Sequence, residues 1–108
     1  MKFDITQLLI VFDELLTPPT DEEQGVYWFR ATRTDGLIVT LSFSIYEYYA
    51  DALVCNNSDI AIASINMEKC SEIRVLDEEK KCLEIVHDGS QGRCFLALTG
   101  DSILSYSE

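Results

Sequence analysis

The residues around His87 are of types that could perform acid–base chemistry, since His87, Asp88 and Ser90 together resemble a serine-hydrolase triad. In such enzymes the three residues come from distant segments, and the serine lies on a sharp turn within a G-x-S-x-G pattern. Here all three are near neighbours in the sequence and the pattern is absent. We therefore interpret His87 as an exposed turn histidine and expect that the chain is not an enzyme.

Acidic residues are abundant, but their spacing does not match a catalytic or metal site. They cluster at Asp13/Glu14, Asp21–Glu23, Glu47/Asp51 and Asp77–Glu79. A calcium loop needs oxygen ligands at alternating positions with a glycine turn, which the segment 21–25 does not supply. The five glycines occur singly and form no phosphate-binding loop. We predict neither a catalytic residue, a metal site nor a cofactor.

The four cysteines are Cys55, Cys70, Cys82 and Cys94, and no two of them form a Cys-x-x-Cys pair. Two close ligands usually anchor a structural zinc site, so this spacing favours reduced thiols packed as small apolar residues. The alternative is a disulfide or metal site formed across adjacent strands. Since no secretory signal is recognisable, we expect a cytoplasmic location, where thiols stay reduced.

Aromatic and acidic residues occur together in two places, which makes them candidates for an interface. Tyr and Trp rings supply rigid anchors, and nearby carboxylates can receive Arg or Lys from a partner. The alternative is that the rings complete the core where a helix meets a sheet. The predicted partner-binding residues are Trp28, Tyr46, Glu47, Tyr48 and Asp51.

The segments that would position these residues read as one helix followed by strands. Asp4 and Gln7 form a capping box, and apolar residues then recur with helical spacing over about residues 5–16, until Thr17-Pro18-Pro19. Residues 20–24 read as an exposed acidic loop. The helix should pack on the sheet through the stripe Ile5, Leu8, Leu9, Phe12, Leu15 and Leu16.

Strand periodicity dominates the rest of the chain. Residues 26–33 and 37–45 form the clearest hairpin, joined by Thr34-Asp35-Gly36, with one apolar and one small, polar face on its second strand. Further strands are predicted at 50–55, 60–65, within 71–86, at 94–98 and at 103–106, with a turn at 88–92. The predicted fold is α+β, with the helix packed on a curled, mostly antiparallel meander sheet or half-barrel of about six to eight strands, in one domain over residues 1–108.

The charge balance restricts the kind of partner. The chain has 19 Asp and Glu against 8 Lys and Arg, a formal charge of −11 on 108 residues, and yet is 47% hydrophobic. Nucleic acids and anionic membranes require clustered basic residues, so neither is expected. A basic protein surface would be attracted by this field. We expect an acidic protein-interaction domain, most concretely an immunity or antitoxin-type inhibitor that occludes a basic partner. The alternative is a structural module that forms a homodimer, with acidity serving solubility.

Overall fold

The computed structural model describes residues 1–17, 19–88 and 93–107, which form two short helices and nine strands. In chain order the elements are α1 (Ile5–Val11), β1 (Glu14–Leu15), α2 (Pro19–Glu23), β2 (Val26–Thr32), β3 (Ile38–Ser44), β4 (Tyr49–Cys55), β5 (Ala61–Met67), β6 (Cys70–Asp77), β7 (Cys82–His87), β8 (Arg93–Ala97) and β9 (Leu104–Ser107). The predicted α+β class is confirmed.

The strands belong to two antiparallel sheets rather than to one. The first sheet has the order β1-β2-β3-β4-β5 and the second β6-β7-β8-β9, so each is a meander in sequence order. The break falls between Met67 and Cys70, where Lys69 adopts a positive φ of 55° and turns the chain into the second sheet. The inner faces of both sheets and one side of α1 enclose a single apolar cluster, to which Leu8, Phe43 and Ile85 each contribute a fully buried side chain.

Helix α1 begins where the capping residue predicts but ends earlier. The Asp4 carboxylate accepts a hydrogen bond from the Gln7 backbone N–H at 3.1 Å, and Phe12 already has extended φ and ψ angles. The prediction of a helix to about residue 16 was wrong because β1 pairs with β2, Glu14 opposite Arg30. Backbone hydrogen bonds to the sheet therefore outweigh the helical spacing of the leucines.

The predicted apolar stripe is consequently only partly buried. Within it, Leu8 and Phe12 are buried, whereas the other members are exposed: Ile5, Leu9, Leu15 and Leu16. Pro18, part of the predicted helix stop, lies outside the described residues.

The acidic segment that was interpreted as a loop forms α2 and packs against β2. Proline suits the first helical position and Asp21 and Glu22 suit the first turn, where negative charge is favoured. Gly25, with a positive φ of 74°, follows the helix and leads into β2.

The hairpin β2–β3 is confirmed, with Phe29 opposite Leu41 and Trp28 opposite Ser42. Its predicted polar face is less exposed than expected, because Ser42 and Ser44 are buried. Ser42 lies between the larger Trp28 and Asp51 of the neighbouring strands, which shield it.

Arg33, in the turn after β2, connects the two sheets. Its guanidinium donates hydrogen bonds to the backbone carbonyls of Ala97 at 3.3 Å and Gly100 at 2.6 Å. It also pairs with Asp35, and this contact holds the pKa of the Asp35 carboxyl below its usual value. This connection lies at the end of the hairpin opposite the β3–β4 turn.

Cys70 and Cys94 lie in the core, as predicted, whereas Cys55 and Cys82 are half-buried. Burial raises the pKa of the Cys70 thiol to about 11, so this thiol stays protonated at neutral pH. No helix among the described residues is long and apolar enough to cross a membrane.

Candidate partner-binding surface

Trp28 and Asp51 project from the outer face of the first sheet, on either side of Ser42. Trp28, Ser42, Asp51 and Asn66 are successive partners across β2, β3, β4 and β5. Because neighbouring strands are about 4.8 Å apart, the backbones of Trp28 and Asp51 are separated by about 10 Å. The two residues therefore share a face without touching through their backbones.

Helix α2 holds the Trp28 side chain in place. The indole N–H donates to the Asp21 carboxylate at 3.1 Å, and the Trp28 backbone N–H donates to the Thr17 hydroxyl at 2.9 Å. Trp28 nevertheless remains 38% exposed. Trp28 thus presents an apolar surface whose orientation is fixed by a polar contact.

Three carboxylates influence the Tyr49 phenol, which lies on the same face as Asp51, two residues along β4. The pKa of Tyr49 is raised first by burial and then by the negative charges of Glu47, Asp51 and Asp21. Those charges must therefore lie near the ring. We name Asp21, Trp28, Glu47, Tyr49 and Asp51 the acidic surface.

Asp51 is partly desolvated on this surface. Burial raises the pKa of its carboxyl above the usual value. In the amide orientation that satisfies its neighbours, the Asn66 side chain donates a hydrogen bond to Asp51 Oδ1 at 2.6 Å. Among the described residues, no Lys or Arg forms an ion pair with Asp21, Glu47 or Asp51.

The adjacent row of the same face is neutralised. Arg30 on β2 lies two residues from Trp28 and pairs with Glu14 at 2.9 Å. The row of residues next to Trp28 and Asp51 therefore adds no unpaired negative charge to this face.

Tyr46, Glu47 and Tyr48 form that turn. The Glu47 backbone N–H donates to the Ser44 hydroxyl at 3.1 Å, and Tyr48 adopts a positive φ of 58°. Tyr46 is 66% exposed and Tyr48 50% exposed. Both rings are therefore accessible to a partner.

The Tyr46 ring lies directly over Gly25. A Cβ atom added at Gly25 would come within 2.7 Å of this ring, and the positive φ of Gly25 independently disfavours a side chain there. Glycine at this position therefore allows Tyr46 to lie against the start of β2.

An open cleft of about 700 Å³ adjoins the turn on the side of the second sheet. Glu47, Tyr48, Glu68, Lys69 and Asp88 contribute to its lining. Two backbone hydrogen bonds hold its walls together, from Cys70 N–H to the Tyr48 carbonyl and from Asp88 N–H to the Lys69 carbonyl, both at 2.8 Å. Glu47, Glu68 and Asp88 place three carboxylates beside the Lys69 ammonium and the amino group of Met1, and the cleft adjoins the acidic surface through Glu47.

His87 is not the exposed turn residue that the sequence suggested. It ends β7, is only partly exposed, and its ring stacks at 6.1 Å from that of Tyr106. Its Nε2 atom is buried and has no hydrogen-bond partner among the described residues. Ser90 and most of the predicted 88–92 turn lie outside the described residues. Within the described part of the chain, no group of three His, Cys, Asp or Glu side chains is arranged to hold a metal ion.

Of the five predicted site residues, the structure brings Trp28, Glu47 and Asp51 to the acidic surface, while Tyr46 and Tyr48 flank it in the turn. Sequence reasoning missed Tyr49 and Asp21. The i, i+2 spacing of Tyr49 and Asp51 could have identified the first, because such residues share a strand face. Nothing in the local sequence places Asp21 beside Trp28, since that contact requires α2.

The fold resembles that of a chain in the solved structure described as a "Contact-dependent growth inhibition toxin - immunity protein complex from Klebsiella pneumoniae 342". The TM-score is 0.77, and the match covers 98% of this chain and 95% of that chain at 18% sequence identity. The two chains therefore share a fold. No protein-family model and no curated protein matches the sequence.

Proposed function

We propose that this chain is an immunity-type inhibitor that binds a basic protein through the acidic surface and occludes its active site. The observation that carries the proposal is the group of unpaired carboxylates around Tyr49, beside the exposed ring of Trp28. The shared fold with a chain of a toxin–immunity complex supports the same conclusion.

The surface has the parts that tight binding to a cationic partner requires. Asp51 and Glu47 would accept hydrogen bonds from Arg or Lys, and these interactions strengthen when water is excluded. Trp28 and Tyr46 would supply apolar anchors, the residue types that most often dominate interface energies. The cleft beside Tyr48 would accommodate a projecting basic side chain of the partner.

Net charge would act at longer range. A formal charge of −11 attracts a basic protein before contact and raises the association rate, an effect that salt screens. Inhibition by occlusion needs no catalytic step in this chain. The reduced-thiol interpretation of the cysteines supports action in the cytoplasm.

The test uses the protein encoded by the gene adjacent to that of this chain. Its association with the purified chain is measured by stopped flow at low and high salt, and its toxicity is measured in cells with and without the chain. We expect tight binding, an association rate that falls at least about tenfold as salt rises from about 50 to about 500 mM, and relief of toxicity.

A control separates this function from general acidity. The variant Glu79→Gln with Asp101→Asn removes two exposed charges far along the sequence from the acidic surface and should leave affinity nearly unchanged. The absence of binding, or binding without relief of toxicity, would contradict the proposal.

A further inference from the structure

The two sheets have four edge strands among the described residues, and three of them are protected. β1 has only two residues. β9 has four residues. β6 carries Glu72, Arg74 and Asp77 and receives a bridge from Lys2, whose backbone N–H donates to the Ser71 carbonyl at 2.9 Å. Short length, charged side chains and cover by another segment are the usual means of blocking edge-to-edge association.

β5 is neither short nor charged, and among the described residues only its C-terminal end borders the second sheet, where Ile65–Met67 share an open groove with His87 and Tyr106. It spans seven residues, Ala61–Met67, and within the described part of the chain it pairs with β4 alone. The segment from Ile60 to Met67 contains no charged residue and no proline. Ile60 and Ile62 are 60% and 55% exposed, and Ala61, Ala63 and Ser64 are also exposed.

We propose that β5 is a dimerisation strand, and that two copies of this chain pair antiparallel through it. The two five-stranded sheets would then form one continuous ten-stranded sheet. A symmetric contact of this kind uses the same strand on both copies, so each favourable contact occurs twice.

Charge identifies the second copy as the occupant. A basic partner would be drawn to carboxylates, and β5 offers none between Asp59 and Glu68. An uncharged edge on so acidic a chain matches another uncharged edge instead. An unblocked edge strand is a template for pairing with another chain, and a second copy presents the same uncharged edge.

The length of β5 limits the strength of the dimer. Seven residues at about 3.4 Å each give a contact about 24 Å long. A single pair of strands of this length buries less area than the standard interface of about 800 Å² per partner. We therefore expect a weak, concentration-dependent dimer. Since both copies carry −11, added salt should strengthen it.

Sedimentation of the purified full chain tests the proposal, over about 5 to about 500 μM protein and at about 50 and about 500 mM salt. We expect a monomer–dimer equilibrium that shifts toward dimer at high salt. Hydrogen exchange at high protein concentration should show new protection at alternate amides of β5.

Two variants with the same charge change locate the contact. Ile62→Lys places an ammonium group on β5 and should weaken the dimer at least about tenfold, since a charged side chain on an edge strand opposes edge-to-edge pairing. Leu9→Lys alters a residue of α1 that is 46% exposed and should leave the dimer intact. Circular dichroism establishes that both variants fold.

Three outcomes would overturn the proposal. They are a monomer under all these conditions, a dimer that tolerates Ile62→Lys, and β5 amides that gain protection only in complex with another protein. The proposal is independent of the proposed function, because salt should weaken binding to a basic partner and strengthen this dimer.

Discussion

Outward-facing carboxylates on the two sheets differ in whether they form ion pairs within the chain. On the second sheet, Arg93 donates two hydrogen bonds to Glu84 at 2.9 and 3.2 Å, and Arg74 pairs with Glu72 at 2.9 Å. On the acidic surface of the first sheet, Asp51 has an amide neighbour but no cationic partner among the described residues. Glu72 and Glu84 of the second sheet are paired within the chain, whereas the carboxylates of the acidic surface have no cationic partner among the described residues.

The pKa shifts of the two sites follow from this difference. The hydrogen bonds from Arg93 lower the pKa of Glu84, so its ionised form stabilises the folded state. Burial raises the pKa of Asp51, so its ionised form destabilises the folded state. Asp51 thus combines an unfavourable desolvation with the lack of a cationic partner among the described residues, and this combination is the reason that we include it in the proposed binding surface.

The largest expected effect is on partner binding. The variant Glu47→Gln with Asp51→Asn removes two of the three unpaired charges of the acidic surface while retaining the side-chain shapes, and should weaken binding of the basic partner at least about 30-fold, as expected for loss of a desolvated charge pair. Titration calorimetry against Glu79→Gln with Asp101→Asn provides the comparison. Equal loss in both variants would mean that only net charge matters.

Glu84→Gln should lower stability instead. The change removes the charge that receives both Arg93 hydrogen bonds, and we expect the free energy of unfolding in urea to fall by about 1 to 2 kcal/mol, with partner affinity unchanged. Unchanged stability would show that the Arg93–Glu84 pair is not a structural contact.

Asp51→Asn alone should not lower the free energy of unfolding, in contrast to Glu84→Gln. Because the fold disfavours the ionised carboxyl, its removal should leave the free energy of unfolding unchanged or raise it by up to about 1 kcal/mol at pH 7. Urea unfolding measures this change. A clear loss of stability would assign Asp51 a structural role and weaken the contrast between the sheets.

The smallest expected effect is on the loss of folding stability at acid pH. The contribution of Glu84 is present above its ordinary pKa of 4.5 and is lost as pH falls through its lowered folded-state pKa. Stability below about pH 4.5 should therefore fall less steeply in Glu84→Gln than in the original chain. Protonation of Asp51 relieves a cost, so Asp51→Asn should make the acid loss slightly steeper. Identical pH profiles for the three proteins would contradict both assignments.

Much of the fold could be predicted because strand alternation and turn residues are local signals. The hairpin β2–β3 and the start of α1 at Asp4 follow from such signals. The end of α1 does not, since Leu15 and Leu16 fit a helix and only the neighbouring β2 offers them a better set of hydrogen bonds. The division into two sheets also depends on packing rather than on periodicity.

The candidate site was less accessible to sequence reasoning. Its exposed aromatic and acidic residues could be proposed from composition, but their arrangement depends on strand register. Trp28 and Asp51 share a face because Ser42 pairs with both. Asp21 joins them only because α2 packs against β2.

Arg33 helps to make the acidic surface rigid, although it lies at the other end of the first sheet. Its bonds to Ala97 and Gly100 tie the sheets together at one end, and the bond from Cys70 to Tyr48 ties them at the other. Hydrogen bonds at both ends restrict rotation of one sheet relative to the other. A partner would therefore bind a preorganised surface. Preorganisation lowers the entropy lost on association, and we therefore expect Arg33→Ala to speed dissociation of a bound partner although Arg33 touches neither the acidic surface nor the cleft.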